Sequence, residues 1–207
     1  MPAMGARISL SGRAAFGLAG LVALVVLART ATAAPKKKYH FQLVEVSAAA
    51  TIPDAARTDV TQVVKSQVEK ALAGHTQIAT TLEGAPDPKV DPKTYKTYLT
   101  RKKIAGAYRV NVEVTEVSEA TEDVDDKPGE LRLVVRVGLR MFGETIPDRV
   151  MAFSGDGSAA VKTEVGKKVR PRDRQFALES AAEMAVAEAL EMSLTKLAQP
   201  PKKPSKK

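Results

Sequence analysis

Leu131-Arg132-Leu133-Val134-Val135-Arg136-Val137-Gly138-Leu139-Arg140-Met141 is the stretch on which the fold turns. Leu131, Leu133, Val135, Val137, Leu139 and Met141 occupy alternate places, against Glu130, Arg132, Arg136 and Arg140. Successive side chains of a strand point to opposite faces, so this spacing predicts a strand with one apolar and one charged side. The stretch before it repeats the pattern, with Tyr108, Val110, Val112 and Val114 against Arg109, Asn111, Glu113 and Thr115. A sheet that is apolar on one face and charged on the other is antiparallel and covered on one side only. Downstream, residues 143–147 turn the chain back. A third strand starts at 149–153 and resumes near Ser158, after an interruption at Gly155-Asp156-Gly157.

Outward from these strands, residues 39–48 read as a strand, with Tyr39, Phe41 and Leu43 against His40 and Gln42. The phase changes at Leu43-Val44, which predicts a bulge or burial on both faces. A helix begins between Asp54 and Thr58. Val60, Val63, Val64, Val68, Ala71 and Leu72 recur at intervals of three and four and so share one face. Gly74 stands where a left-handed glycine commonly ends a helix. A short strand falls over 77–81, and three prolines in 85–92 make a loop. Asp91-Pro92 is a helix opening, a carboxylate cap followed by a proline suited to the first turn. Tyr95, Tyr98 and Leu99 stripe that helix, which runs to about Ile104 and is ended by Gly106. A long helix from Asp173 or Arg174 to about Ala198 closes the chain. Leu178, Ala182, Ala185, Ala189 and Met192 form its inner stripe, beside Val186, Leu190 and Leu197. The order β-α-β-α-β-β-β-α predicts an α/β (α+β-like) domain, with helices packed on one face of a mixed, mainly antiparallel sheet.

The chain has 207 residues and no cysteine, which excludes disulfides, thiolate metal sites, a cysteine nucleophile and a cysteine-borne lipid anchor. Residues 1–33 read as a secretory signal: Arg7 and Arg13, an apolar run over 14–28, then Ala31-Thr32-Ala33 for the peptidase. That run is shorter than the roughly 20 residues a membrane-spanning helix needs. The expected organisation is a signal at 1–33, a basic linker at 34–38, one domain at 39–198 and a lysine–proline arm at 199–207. The formal charge of +8 belongs to the flanks. Arg7, Arg13 and Arg29 leave with the signal, and Lys36–Lys38 with Lys202, Lys203, Lys206 and Lys207 bracket the body. The remainder holds 22 basic against 24 acidic residues, so the body is not a basic domain.

Catalytic signatures are weak. His40 and His75 have no second ligand or nucleophile at motif spacing. Gly155-Asp156-Gly157-Ser158-Ala159-Ala160 formally matches a dinucleotide loop, but the extended-looking Val161-Lys162-Thr163-Glu164-Val165 follows where a helix is required, so the segment reads as a glycine bulge or turn. Gly166-Lys167-Lys168 lacks the earlier glycine and the hydroxyl of a phosphate loop. Glu116, Glu119, Glu122, Asp123, Asp125, Asp126 and Glu130 crowd the connection between the two best strands and read as a solvated hairpin tip, without calcium-loop spacing. Lys162, Lys167, Lys168, Arg170, Arg172 and Arg174 lead into the last helix. No aromatic interleaves them, which speaks against single-stranded nucleic acid. No metal, cofactor, small-molecule substrate or specific nucleic acid is expected.

The element order resembles a group of envelope domains, as do Ile104-Ala105-Gly106-Ala107-Tyr108, the Gly143-Glu144 turn, Gly155-Asp156-Gly157-Ser158 and the alanine-rich last helix. These are the periplasmic domains of curli-secretion-channel subunits, of the lipoprotein activators of penicillin-binding proteins, and the amino-terminal domain of TolB. The resemblance implies a non-catalytic domain that docks onto envelope proteins. It departs where those subunits and activators carry a lipid-bearing cysteine, and where the channel carries long membrane hairpins. The expectation is therefore a periplasmic or secreted, non-enzymatic protein without a lipid anchor. Its protein partner would bind through Arg109, Glu113, Arg132, Arg136 and Arg140 on the charged face and Lys167, Lys168, Arg170 and Arg172 in the basic loop. The alternative is a polyanion binder, holding an anionic polymer or lipid surface through Lys202, Lys203, Lys206, Lys207 and that loop.

Overall fold

A computed structural model describes residues 37–125 and 127–199; the signal sequence read at 1–33 and the four tail lysines lie outside them. The elements are β1 (Lys38–Ala48), α1 (Asp54–Gly74), β2 (Ile78–Ala79), α2 (Pro92–Arg101), β3 (Ile104–Asp123), β4 (Leu131–Thr145), β5 (Met151–Gly166) and α3 (Pro171–Ala198). They form a five-stranded sheet in the order β2-β1-β3-β4-β5. β1 is parallel to β2 and β3, and β3, β4 and β5 are successively antiparallel, so the sheet is mixed and the fold α/β as read.

The alternation in β4 drives the layering. Leu133, Val135, Val137, Leu139 and Met141 are each at most 3% exposed, while Arg136 and Arg140 are exposed on the other side. α1 and α3 cover the apolar face. Val60, Val64, Val68 and Leu72 of α1 pack there, together with Ala177, Ala181, Ala182, Ala185, Val186 and Ala189 of α3. Each Val or Leu removed from water contributes about 1.5–3 kcal/mol. Phe153 completes the core at one end. Its ring stacks on Phe41 with centroids 5.3 Å apart, meets Tyr108 edge-on at 5.5 Å, and occupies the space that a side chain at Gly143 would need.

Tertiary contact changes several local readings. Gly155 and Gly157 are neither a bulge nor a turn; they lie inside one continuous β5. A Cβ on either would collide with the α3 backbone at Ala189 or Ala185, so the glycines are there to let the helix lie on the strand. Gly106 likewise sits within β3, and α2 ends at Arg101, with Lys103 at φ 58° carrying the chain into the strand. Gly74 does end α1, but with a positive φ at neither Gly74 nor His75, which is extended. On α3 the buried stripe passes through Ser193 and Leu194, and Met192 is left 38% exposed. The phase change in β1 is a bulge, with the register slipping between Leu43 and Glu45 around Val44.

α2 is capped as read: the Asp91 carboxylate accepts from Thr94 N at 2.9 Å and from Thr94 Oγ1 at 2.6 Å. Tyr95, Tyr98 and Leu99 are buried, but with Ala107 in a small cluster of their own. Ala107 alternates with Tyr108, which faces the main core, so α2 closes over the opposite face of the sheet at the start of β3. No other described helix covers that face.

Candidate functional site

The open face is built from the alternate residues of β1, β3, β4 and β5, and register sets them in rows across the sheet. Gln42, Arg109 and Glu144 form one row; Ser47, Glu113, Arg140 and Asp156 another; Ser118, Arg136 and Ala160 a third; Glu122, Arg132 and Glu164 a fourth. All five charged-face candidates, Arg109, Glu113, Arg132, Arg136 and Arg140, therefore share one surface. A bulge between Val114 and Glu116 resets the phase of β3, so that Val117 stays with the core and Ser118 and Glu122 continue the charged rows.

Much of this charge is already matched. Arg140 Nε lies 2.8 Å from Asp156 Oδ1, and that bond holds the guanidinium above its ordinary range. Arg132 reaches Glu164 at 3.8 Å, and Lys127 reaches the same carboxylate at 2.7 Å. Lys127 holds Glu164 below the ordinary carboxylate range and is itself raised. Lys162 pairs with Glu122 at 3.4 Å. These pairs are exposed, so water screens them and they add little to stability. Among the described residues Arg109 and Arg136 make no ion pair within 4.0 Å.

The acidic cluster is not a hairpin tip. β3 runs on to Asp123, so Glu116, Glu119, Glu122 and Asp123 stand on the strand and only residues 124–130 connect it to β4. Part of the cluster pairs with the bases expected before the last helix, since Arg174 Nε, in the start of α3, lies 2.7 Å from Glu119. Arg170 caps α3, its backbone N donating to Asp173 at 3.0 Å; Arg172 and Arg174 lie inside α3 rather than in a loop before it, Arg172 at 3.6 Å from Asp173. Lys167 and Lys168 are exposed and make no ion pair among the described residues. Sequence reasoning collected these bases but had no signal for the acids they would meet, because Glu119 is 55 residues from Arg174.

Two cations that sequence reasoning passed over join Arg109. Lys89, from the loop before α2, and Arg149, from the β4–β5 turn, line a cleft of about 240 Å³ with Arg109, Gln42 and Thr145. A larger groove of about 760 Å³ runs between α1 and β1, from Phe41 to Val46. β1 pairs with β2 only at Tyr39 and His40, so the strand edge along this groove carries no neighbouring strand among the described residues. β5, at the other side of the sheet, is protected by α3. Glu188 accepts from Ser158 N at 2.8 Å, Met192 Sδ from Asp156 N at 3.4 Å, and Lys196 Nζ donates to the Ser154 carbonyl.

His40 is buried on the α2 side, its Nδ1 2.8 Å from the Ala79 carbonyl, and burial pushes its pKa down. His75 Nδ1 accepts from Gln77 N at 3.2 Å. No group of three or more metal-ligating side chains occurs among the described residues, and none of their helices is long and apolar enough to cross a membrane.

No family model matches the chain, and no curated protein does. Solved structures do. The protein CT253 of Chlamydia trachomatis is 11% identical over 78% of this chain and 98% of its own, with a TM-score of 0.48. XCC0632 of Xanthomonas campestris is 12% identical over 80% and 89%, at 0.43. A minor lipoprotein of Acinetobacter baumannii is 14% identical over 80% and 98%, at 0.36. None of these three is described as a curli-channel subunit, a penicillin-binding-protein activator or TolB. With every TM-score below 0.5, the likenesses place this chain in no family and lend it no function.

Proposed function

We propose that the chain is an exported, non-catalytic interaction domain that assists assembly or regulation at the bacterial cell envelope. Its protein partner docks on the open face of the sheet. The observation that carries this reading is the gathering of Arg109, Glu113, Arg132, Arg136 and Arg140 on one uncovered surface. Rows of fixed charge on a rigid sheet give an approaching partner orientation and register, which is what charge complementarity contributes to binding. Export rests on the charged, apolar and small-residue pattern of the first 33 residues, and the resemblance to envelope docking domains points the same way. Arg109→Glu, Arg136→Glu and Arg140→Glu combined test the surface, with the mature body (residues 34–199) as bait for solubilised envelope. A discrete protein held by the parent and lost by the triple variant is the expected result. Undiminished capture by a folded triple variant would end the assignment.

A second reading is favoured by Lys167 and Lys168, which stand exposed without ion partners among the described residues. With Lys202, Lys203, Lys206 and Lys207 they would hold an anionic polymer or lipid surface. Such binding falls as salt rises and needs the tail; retention at high salt or without it rules this reading out.

A further inference from the structure

We propose that the cleft between β3, the β4–β5 turn and the loop before α2 is a binding site for a phosphate group. Three segments far apart in sequence bring Lys89, Arg109 and Arg149 to a hollow of about 240 Å³ that Gln42 and Thr145 also line. None of the three cations has an acid within 4.0 Å among the described residues. The nearby carboxylates are turned to other work or stand off. Asp148 faces Lys96 at 4.0 Å, and Asp87 accepts from the Lys89 backbone amide at 2.8 Å. Glu144 lies opposite Arg109 in the register but does not line the cleft. Like charges gathered without counter-charge repel one another, and an anion among them relieves that repulsion.

The turn that delivers Arg149 supplies the second line of argument. Arg149 has φ 53°, the left-handed conformation that glycine or asparagine takes at less cost. Hydrogen bonds hold it there: Arg149 N to the Thr145 carbonyl at 2.9 Å, and Thr145 N to the Val150 carbonyl at 2.9 Å. Val150 N donates to Thr145 Oγ1 at 3.1 Å, which ties the two arms of the turn together. A strained position thus carries a long cation where a small residue would serve the turn better. Two guanidinium groups and an ammonium group on the lining of one hollow suit a tetrahedral oxyanion, and a charge of three suits phosphate better than a single carboxylate. The hollow holds the volume of about eight waters at about 30 Å³ each, enough for a phosphate and part of the group it is esterified to.

The phosphate could belong to a lipid headgroup or to a soluble ester, and the experiment separates these sources. Calorimetry and thermal unfolding of the protein are measured with inorganic phosphate and glycerol 3-phosphate against chloride at matched ionic strength. Flotation with phosphatidylglycerol vesicles follows. Saturable binding is expected, weakened about tenfold or more by Arg109→Gln or Arg149→Asn. Without phosphate, Arg149→Asn should melt at the parent temperature or above, since asparagine accepts the left-handed turn; a merely structural arginine would not be replaced so cheaply. Vesicle binding competed by inorganic phosphate assigns the headgroup, and soluble binding alone assigns the ester; both uphold the site. Absence of saturable binding, or equal binding by Arg149→Asn, overturns it. The site shares Arg109 with the proposed protein interface, but Arg149 belongs to the cleft alone. Arg149→Asn should lose phosphate while keeping partner capture, so failure of one reading is distinguishable from failure of the other.

Discussion

Replacing Gly157 by alanine tests the packing that organises the domain. Gly157 lies in β5 beneath α3, and an added Cβ would fall on the Ala185 carbonyl oxygen and within 2.8 Å of Ala189 N. Two effects oppose each other. Alanine in a strand is favoured over glycine by about 0.5–1 kcal/mol, through the entropy of the unfolded chain. Overpacking a filled site costs about 1–3 kcal/mol, occasionally more. Here the obstructing atoms are helix backbone and cannot rotate away, so the upper end applies and the net loss should be about 2 kcal/mol. For a domain of this size that lowers Tm by about 4–8 °C. Gly138→Ala is the matched control, because its Cβ would meet Glu116 Cβ at 3.2 Å and Thr115 Oγ1 at 3.3 Å on the open face. Thr115 and Glu116 are exposed and the overlap is smaller, so the change should cost less than Gly157→Ala. Urea unfolding of parent and both variants decides the matter. A Gly157→Ala midpoint equal to or above the parent, with the slope unchanged, would show that the helix does not bear on the strand at this point.

Phe153→Ala should cost about 3–5 kcal/mol by chemical unfolding, because it empties the space between Phe41, Tyr108 and Gly143. His40 should make stability fall as pH drops below 6.5. Its pKa is depressed in the fold, so its contribution is present above the unfolded value and is lost as pH falls through the folded one. His40→Gln should flatten that slope between the two values, measured as urea midpoint against pH. Glu188→Ala with Lys196→Ala uncovers the β5 edge from Ser154 to Ser158 and should increase self-association in sedimentation velocity, with little change in Tm.

The clearest sequence signals were those carried within one element. The apolar alternation of β4 and the stripe of α1 both appear where the spacing places them, as does the Asp91-Pro92 helix opening. The bulge at Val44 was visible as a change of phase within five residues. Gly106 and Gly155-Asp156-Gly157 misled, because a glycine reads the same whether it frees the backbone to turn or clears space for a neighbour. The acidic residues after Val114 misled for a related reason: exposed carboxylates on a strand and in a turn have the same composition. Of the candidate site, the charged face could be read from period two alone. The cleft could not, since nothing in the spacing of Lys89, Arg109 and Arg149 relates them.

By itself the sequence determined the order and type of the elements and which face of each is apolar. Periodicity records the side on which a residue lies relative to near neighbours on its own strand or helix. Only the tertiary structure decided that Arg174 meets Glu119, that α2 closes over the opposite face, and that three cations line one cleft. Those pairings depend on how separate elements twist and pack against one another. Two surface charges gain little by meeting in water, so neither the composition nor the spacing of the chain has to mark them as partners.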